Sequence, residues 1–297
     1  MARRFLIIHN PVAGRRRRQL VDGTVSALRG LGCAVAVVST ARQGDATGLA
    51  AAARGVDIVV AAGGDGTVGE VAHGLFELPL EDRPAFATIP LGTVNVLAVE
   101  LGLPTDGAAL ARVLADGPLR GITVGVADGR RFVLTAGAGV DAAAVRFLSP
   151  WLKRLIGQYA YYVALVLALA REGGTVFDVE VGGEVRRVSS VIVTNASRYG
   201  GEKVVSPEAR LEAGDLHVLL GTRHGRWNLI RYGMAFMAGR LYALPDVEII
   251  PAREMRILRP AGKPVQIDGD NVAATPIAVS VAPEKLMVVM PDEYVCS

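Results

Sequence analysis

The chain has 297 residues, enough for two domains and a large core. It is 51% apolar and 21% charged, which excludes a disordered chain. A formal charge of +3, from 32 basic and 29 acidic residues, gives no footprint for nucleic acid, and the two cysteines, Cys33 and Cys296, exclude a disulfide framework or a zinc pattern.

Taken in chain order, "FLIIHN" reads as a buried first strand. Its apolar run is too short for the core of a signal peptide, and Asn10-Pro11 follows at once. A basic turn, "PVAGRRRR", leads into a helical stretch to about Arg29. "CAVAVVST" is a second strand, and "GDATGLAAAARG" has helical composition with Asp45 as its N-cap. "DIVVAA" is a third strand, followed by a glycine loop and a helix from about Thr67. "AFATIP" is a fourth strand, and "TVNVLAVELG" is a helix closed by Gly102 and Pro104. Strands alternating with helices predict a parallel α/β sheet.

The pattern changes near residue 120, where a domain boundary is expected, giving domains 1–120 and 121–297. Asp128-Gly129 sits between two strand-like runs, a hairpin signal. A helical region follows from about Ser149 to Arg171. Its apolar run, Tyr159 to Ala170, is shorter than the ~20 residues a membrane span needs and reads as core. A helical segment near Trp227 to Leu241 interrupts short strands such as "FDVEVGGEVRRVSSVIVTN", "DLHVLLG", "DVEIIPAREMRILRP" and "PIAVSVAPEKLMVVMP". These strands predict an antiparallel sandwich or barrel.

The loop "AAGGDGTVGEVAHGL", Ala61 to Leu75, contains G-x-G-x-x-G. A dinucleotide site is disfavoured, because the loop follows the third strand and the next strand ends in proline rather than an acid. A P-loop is excluded, because no Gly-Lys-Ser/Thr follows. Glycines let backbone N–H groups approach an anion, and a helix N-terminus favours one. Thr67 adds a hydroxyl, and Asp65 is best placed to hold a hydrated metal ion or a nearby cation. That chemistry suits a nucleoside triphosphate with Mg²⁺; a plain strand-to-helix turn is the alternative. "IPLGTVNVLAVELGLP" repeats the design, with Gly92 and Thr93 in the places of Gly66 and Thr67, and "HNPVAG" makes a third such junction. Parallel strands bring such turns to one crevice at their carboxyl ends.

Together "HNPVAG", "GGDGTVGEVAHGL" and "PLGTVNVLAVELGLP" resemble the diacylglycerol kinase catalytic domain family, in particular its bacterial lipid kinases, which are related to sphingosine kinases. "TAGAGVDAAAV", "TNASRYGGEKVVSPEARLEAGDLHVLL" and "VQIDGD" extend the resemblance over nearly the whole chain. It implies an α/β nucleotide domain, similar to NAD kinases and phosphofructokinases, followed by a β-rich domain. It also implies ATP and Mg²⁺. Gly63, Gly64, Asp65, Gly66 and Thr67 would cradle the phosphates, with Asp65 in the magnesium network. Gly92, Thr93 and Asn95 would line the same site, Thr40 would contact the nucleotide, and Asn10 would face the cleft. Asp268 would be the general base and Asp270 its assistant. The chain departs from the family pattern at Gly69, where asparagine is usual, and at Ala213, where an aspartate helps to hold a structural magnesium. Glu212 or Asp215 is left for that ion, with Asp215 the expected ligand. Asp270 replaces a glutamate.

Beside these stand weaker signals. Arg15 to Arg18 reads as a solvated helix start, or as a contact for phosphate or an anionic membrane. His73 reads as a half-buried surface histidine. Tyr159, Tyr161 and Tyr162, with "MAFMAGRLYAL", offer apolar area to an acyl chain or to the core. The expectation is a cytoplasmic lipid kinase, peripheral at the membrane, with a lipid substrate, reversible membrane contact, no nucleic acid and a possible homodimer. The alternatives are an NAD kinase-like enzyme and a non-catalytic lipid- or nucleotide-binding regulator.

Overall fold

The computed structural model describes residues 2–14, 18–139, 174–292 and 294. The chain divides into two compact units, Met1–Ile122 with Glu284–Ser297, and Thr123–Pro283.

The first unit opens with β1 (Arg4–His9), α1 (Arg18–Gly30), β2 (Ala34–Ser39) and α2 (Asp45–Ala51). It continues with β3 (Ile58–Gly63), α3 (Asp65–Leu75), β4 (Ala85–Pro90), α4 (Val96–Glu100), α5 (Gly107–Asp116) and β5 (Leu119–Ile122). β2, β1, β3 and β4 lie side by side, all parallel. Every residue of β3 and β4 is buried. A parallel strand covered on both faces reads as a continuous apolar run, which is why "IVVAAG" and "AFATIP" show no alternation. α1 buries Val21, Thr24, Val25 and Leu28, one helical stripe, against Phe5, Ile7 and Ile58 of the sheet. Leu110 and Leu114 of α5 join the same core.

The second unit is strand-built. It contains β6 (Gly125–Ala127), β7 (Arg130–Phe132), β8 (Thr135–Ala138), β9 (Phe177–Val181), β10 (Glu184–Val188) and β11 (Ser190–Thr194). Then come β12 (Arg198–Tyr199), β13 (Lys203–Val204), β14 (Leu216–Gly221), α6 (Arg226–Met237), β15 (Val247–Ala252) and β16 (Glu254–Arg259). β17 (Pro264–Ile267), β18 (Asp270–Ala274) and β19 (Ile277–Val281) complete it. Two six-stranded antiparallel sheets, β10-β9-β16-β19-β6-β7 and β15-β14-β11-β8-β17-β18, form a sandwich. Phe132, Phe177, Val179, Val218, Ile257 and Val265 fill its core. The predicted hairpin at Asp128-Gly129 is present, with φ of +51° and +72° joining β6 to β7 through a two-residue turn.

Three local expectations change. Asp45 is not the cap of α2; Gly44 is, and the Asp45 carboxylate accepts N–H bonds from Ala41 and Arg42 in the preceding loop. α3 starts at Asp65, two residues before Thr67. α5, unforeseen in the sequence, is capped by Asp106, whose side chain accepts from Ala109 N–H.

One strand crosses the linear division at residue 120. β20 (Leu286–Val289) pairs parallel to β4 and antiparallel to β5, so residues 284–297 belong to the first unit. Leu286, Val288 and Val289 are buried there, filling the gap in the sheet between β4 and β5. The helical stretch expected over 149–171, with Tyr159, Tyr161 and Tyr162, lies outside the described residues, as do Arg15 to Arg17 and Cys296.

Candidate active site

In the first unit the turns after β1, β3 and β4 are stitched into one constellation. Asn10 follows β1; its N–H donates to Ala62 O at 2.9 Å, and its Nδ2 donates to Thr67 Oγ1 at 3.2 Å. Asn10 Oδ1 accepts from Val12 N–H, which fixes the turn. The Gly63 carbonyl accepts from Leu91 N–H at 2.9 Å, joining the ends of β3 and β4. The backbones then come so close that side chains do not fit. A Cβ on Gly63 would lie 2.3 Å from Thr67 Oγ1, and one on Gly92 would lie 2.6 Å from Gly64 Cα.

Asp65 locks the two glycine loops together. Its carboxylate accepts N–H bonds from Asn95 at 3.0 Å and Val96 at 2.7 Å, the start of α4. A carboxylate at a helix N-terminus also gains from the helix dipole. Asn95 has a left-handed backbone, φ +52°, a conformation asparagine tolerates. Its Nδ2 donates to Gly92 O at 2.7 Å, while its Oδ1 is buried with no hydrogen-bond partner among the described residues.

Gly66 is different. It is exposed, its φ is not positive, and a Cβ there would meet nothing within 4 Å. Packing therefore gives no reason for glycine at 66, and the open space at its Cβ position leaves room for a group to approach the first turn of α3. The N-cap residue, Gly64, supplies no side-chain cap for that turn. Thr93 is exposed on the neighbouring loop. Thr67 is buried with its oxygen against Asn10, so it serves the loop before it can serve a ligand. Thr40 is buried at the end of β2, where its N–H donates to His9 O. Burial lowers the pKa of His9, and Arg18 adds to that shift. His73 is half-buried and lies 4.0 Å from Glu77.

In the second unit Asp268 and Gly269 form the turn between β17 and β18, with φ of +46° and +90°. The Asp268 carboxylate accepts three backbone hydrogens, from Val133, Leu134 and Thr135, each at 2.9 Å. Its own N–H donates to Thr135 O at 2.8 Å. Gln266, fully buried, receives Gly269 N–H and donates to Thr135 Oγ1. Asp270 is exposed at the start of β18.

Among the described residues no group of three or more His, Cys, Asp or Glu side chains is gathered for a metal. Asp215 nonetheless suits a cation, since its Oδ1 is buried without a hydrogen-bond partner among those residues. The loop around it is braced by Thr123, which donates N–H to Leu211 O and accepts Gly214 N–H on its hydroxyl. Ala213 is exposed and brings no carboxylate. The sequence reading missed two elements of this region. Asn195 donates to Thr123 O at 2.6 Å, and Ser206 Oγ meets His217 Nδ1 at 2.6 Å, all buried. Burial lowers the His217 pKa, against the opposing pull of Asp215 and Glu208. Neither residue sits in a spacing pattern that marks it locally.

The chain matches two family models: the diacylglycerol kinase catalytic domain over residues 4–127, and the YegS C-terminal NAD kinase beta sandwich-like domain over 135–290. It is 30% identical to a diacylglycerol kinase of Bacillus subtilis (strain 168), covering 98% of this chain and 97% of that one. It is 34% identical to a diacylglycerol kinase of Staphylococcus saprophyticus over 72% of this chain and 71% of the relative. A solved structure described as a diacylglycerol kinase from Bacillus anthracis (strain Sterne) matches the fold with a TM-score of 0.72 at 22% identity, covering 99% of both chains. Another solved chain from that organism gives 0.79 at 24% identity, covering 99% of this chain and 97% of the other. From its glycine loops to its sandwich, this chain belongs to the diacylglycerol kinase catalytic domain family.

Proposed function

We propose that the protein is an ATP-dependent lipid kinase. It would transfer the γ-phosphoryl group of ATP to a hydroxyl of a diacylglycerol-like or long-chain-base-like lipid. The observation that carries this reading is Gly66: the one residue of the interlocked loops with open space at its Cβ position and no packing need for glycine, on the first turn of α3. The names of the curated relatives support a diacylglycerol as the acceptor class.

In this reading the amides of the α3 start and of Thr93 and Val94 bind the phosphates, while Asp65, holding the Asn95 and Val96 amides, keeps the two loops in register. Phosphoryl transfer asks for positioning and charge stabilisation more than for covalent chemistry. Mg²⁺, when bound, would supply positive charge against the phosphate oxygens, with Asp65 in its water network. Asp215 would hold a structural ion. The acceptor oxygen bonds to phosphorus as the bridging bond to ADP breaks, and Asp268 takes the hydroxyl proton. A carboxylate accepting several amide hydrogens is favoured in its ionised form and is a modest base, which suits a loose transition state.

Phosphorus NMR of detergent micelles holding a diacylglycerol, with MgATP and the protein, tests the reading. A phosphomonoester lipid should appear in step with ADP. Consumption of ATP only in the presence of NAD would contradict it.

A further inference from the structure

α6 is held to the sandwich by its inner face. Leu229 and Tyr232 are buried against Ile192, Leu219 and Leu241. The Tyr232 hydroxyl donates to Asp246 Oδ2 at 2.6 Å and accepts Arg223 N–H at 3.0 Å, and Arg231 pairs with the same carboxylate. These contacts set the helix rotation. Ile230 packs against the same core, and these contacts leave two apolar side chains pointing outward, Trp227 and Met234, spaced i and i+7 on one helical face. Trp227 is 83% exposed and Met234 is 69% exposed. An inner face already satisfied does not require either residue.

Within this segment the charge has one sign. From Arg223 to Arg240 the chain holds four arginines, of which Arg231 is paired with Asp246, and one histidine and no acid. A two-fold contact with a second copy would set this basic segment against itself, which is unfavourable. An anionic bilayer accepts both features, because tryptophan favours the membrane interface and arginines meet lipid phosphates.

We propose that the outer face of α6 docks the protein on an anionic membrane surface, with Trp227 and Met234 inserted at the headgroup level. This inference deepens the lipid-kinase reading and rests on it for its purpose, but its test reads binding and not transfer.

The chain has two tryptophans, so Trp151→Phe leaves Trp227 as the sole reporter. Vesicles of phosphatidylglycerol and phosphatidylcholine in equal parts should shift its emission to the blue, and phosphatidylcholine alone should not. In sedimentation with the mixed vesicles, Trp227→Ser with Met234→Ser should lose about tenfold in binding. Arg223→Glu should weaken binding too, and the Trp227, Met234 and Arg223 variants should keep the melting temperature of the Trp151→Phe protein, since these three side chains are exposed. Binding unchanged in the double variant, or an unshifted Trp227 on bound protein, overturns the proposal. So does a blue shift that follows protein concentration without vesicles and coincides with a doubled mass in light scattering. Vesicle binding by α6 in a protein that phosphorylates no lipid supports the docking and contradicts the kinase reading alone.

Discussion

The Asp65 carboxylate accepts the backbone N–H of Val96 at 2.7 Å and ties two strand-end loops that lie 31 residues apart in the chain. Asp65→Asn keeps the shape but sets an amide donor against one of the two N–H groups it now accepts. The variant should lose about 2 kcal/mol of stability, read by urea unfolding, as for hydrogen bonds to a charged group. Transfer should fall about 100-fold, because a displaced loop misplaces the phosphates. Full activity in Asp65→Asn would contradict this positioning role.

Gly66 and Gly92 separate binding from folding. Gly66→Ala introduces a methyl group into open space within a helix, where alanine is favoured over glycine by about 1 kcal/mol. Its melting temperature should hold or rise. Its ATP affinity should fall about tenfold, the cost of crowding a close contact by about 1–3 kcal/mol. Gly92→Ala meets Gly64 Cα and should lose about 1–3 kcal/mol of stability before any ligand is added. Isothermal titration with an ATP analogue and thermal melts decide both. Unchanged affinity in Gly66→Ala would remove the ligand from the start of α3.

At Asp268 the conservative and the drastic variants should part company. Asp268→Ala leaves three amides of the 133–135 segment without their acceptor and places alanine at φ +46°. Unpaired amides and left-handed alanine should together cost about 2–4 kcal/mol. Asp268→Asn tolerates the turn and keeps one acceptor oxygen, so it should stay folded at room temperature. Its kcat should still drop about 100-fold or more, as for loss of a general base. Asp270→Asn, exposed and outside the amide cluster, should do less. Wild-type kcat in Asp268→Asn would assign the base elsewhere.

His217 makes stability depend on pH. Burial holds its imidazole neutral below the ordinary value of 6.5, so the unfolded chain binds a proton that the folded chain refuses. The neutral form's contribution is complete above that value and is lost as the pH falls below it. His9 acts in the same direction. Urea midpoints should therefore fall on acidification below about pH 6.5. His217→Asn, which still offers Ser206 a hydrogen-bonding partner, should flatten part of that slope. A midpoint that rises as the pH falls would contradict the assignment.

Local signals in the sequence were reliable where the physics is local. Buried strands such as "IVVAAG", and the Asp-Gly turn at 128, carry their conformations in neighbouring residues. What escaped is long-range. β20 completes the first sheet from the far end of the chain, and nothing in "LMVV" names β4 and β5 as its neighbours. The acceptor role of Asp268 toward residues 133–135 spans more than 130 positions. Asp65 was legible as important from its glycine setting, but its amide partners on α4 were not. α5 was missed because Ala-rich "GAALARVLAD" sits between stronger punctuation signals.

The most direct measurement follows label from the γ-phosphate of ATP into a total lipid extract, with the parent protein, Gly66→Ala and Asp268→Asn side by side. The account predicts solvent-extractable labelled lipid with the parent, and sharply less with either folded variant. Label that never enters lipid, or that enters equally with all three proteins, would contradict it.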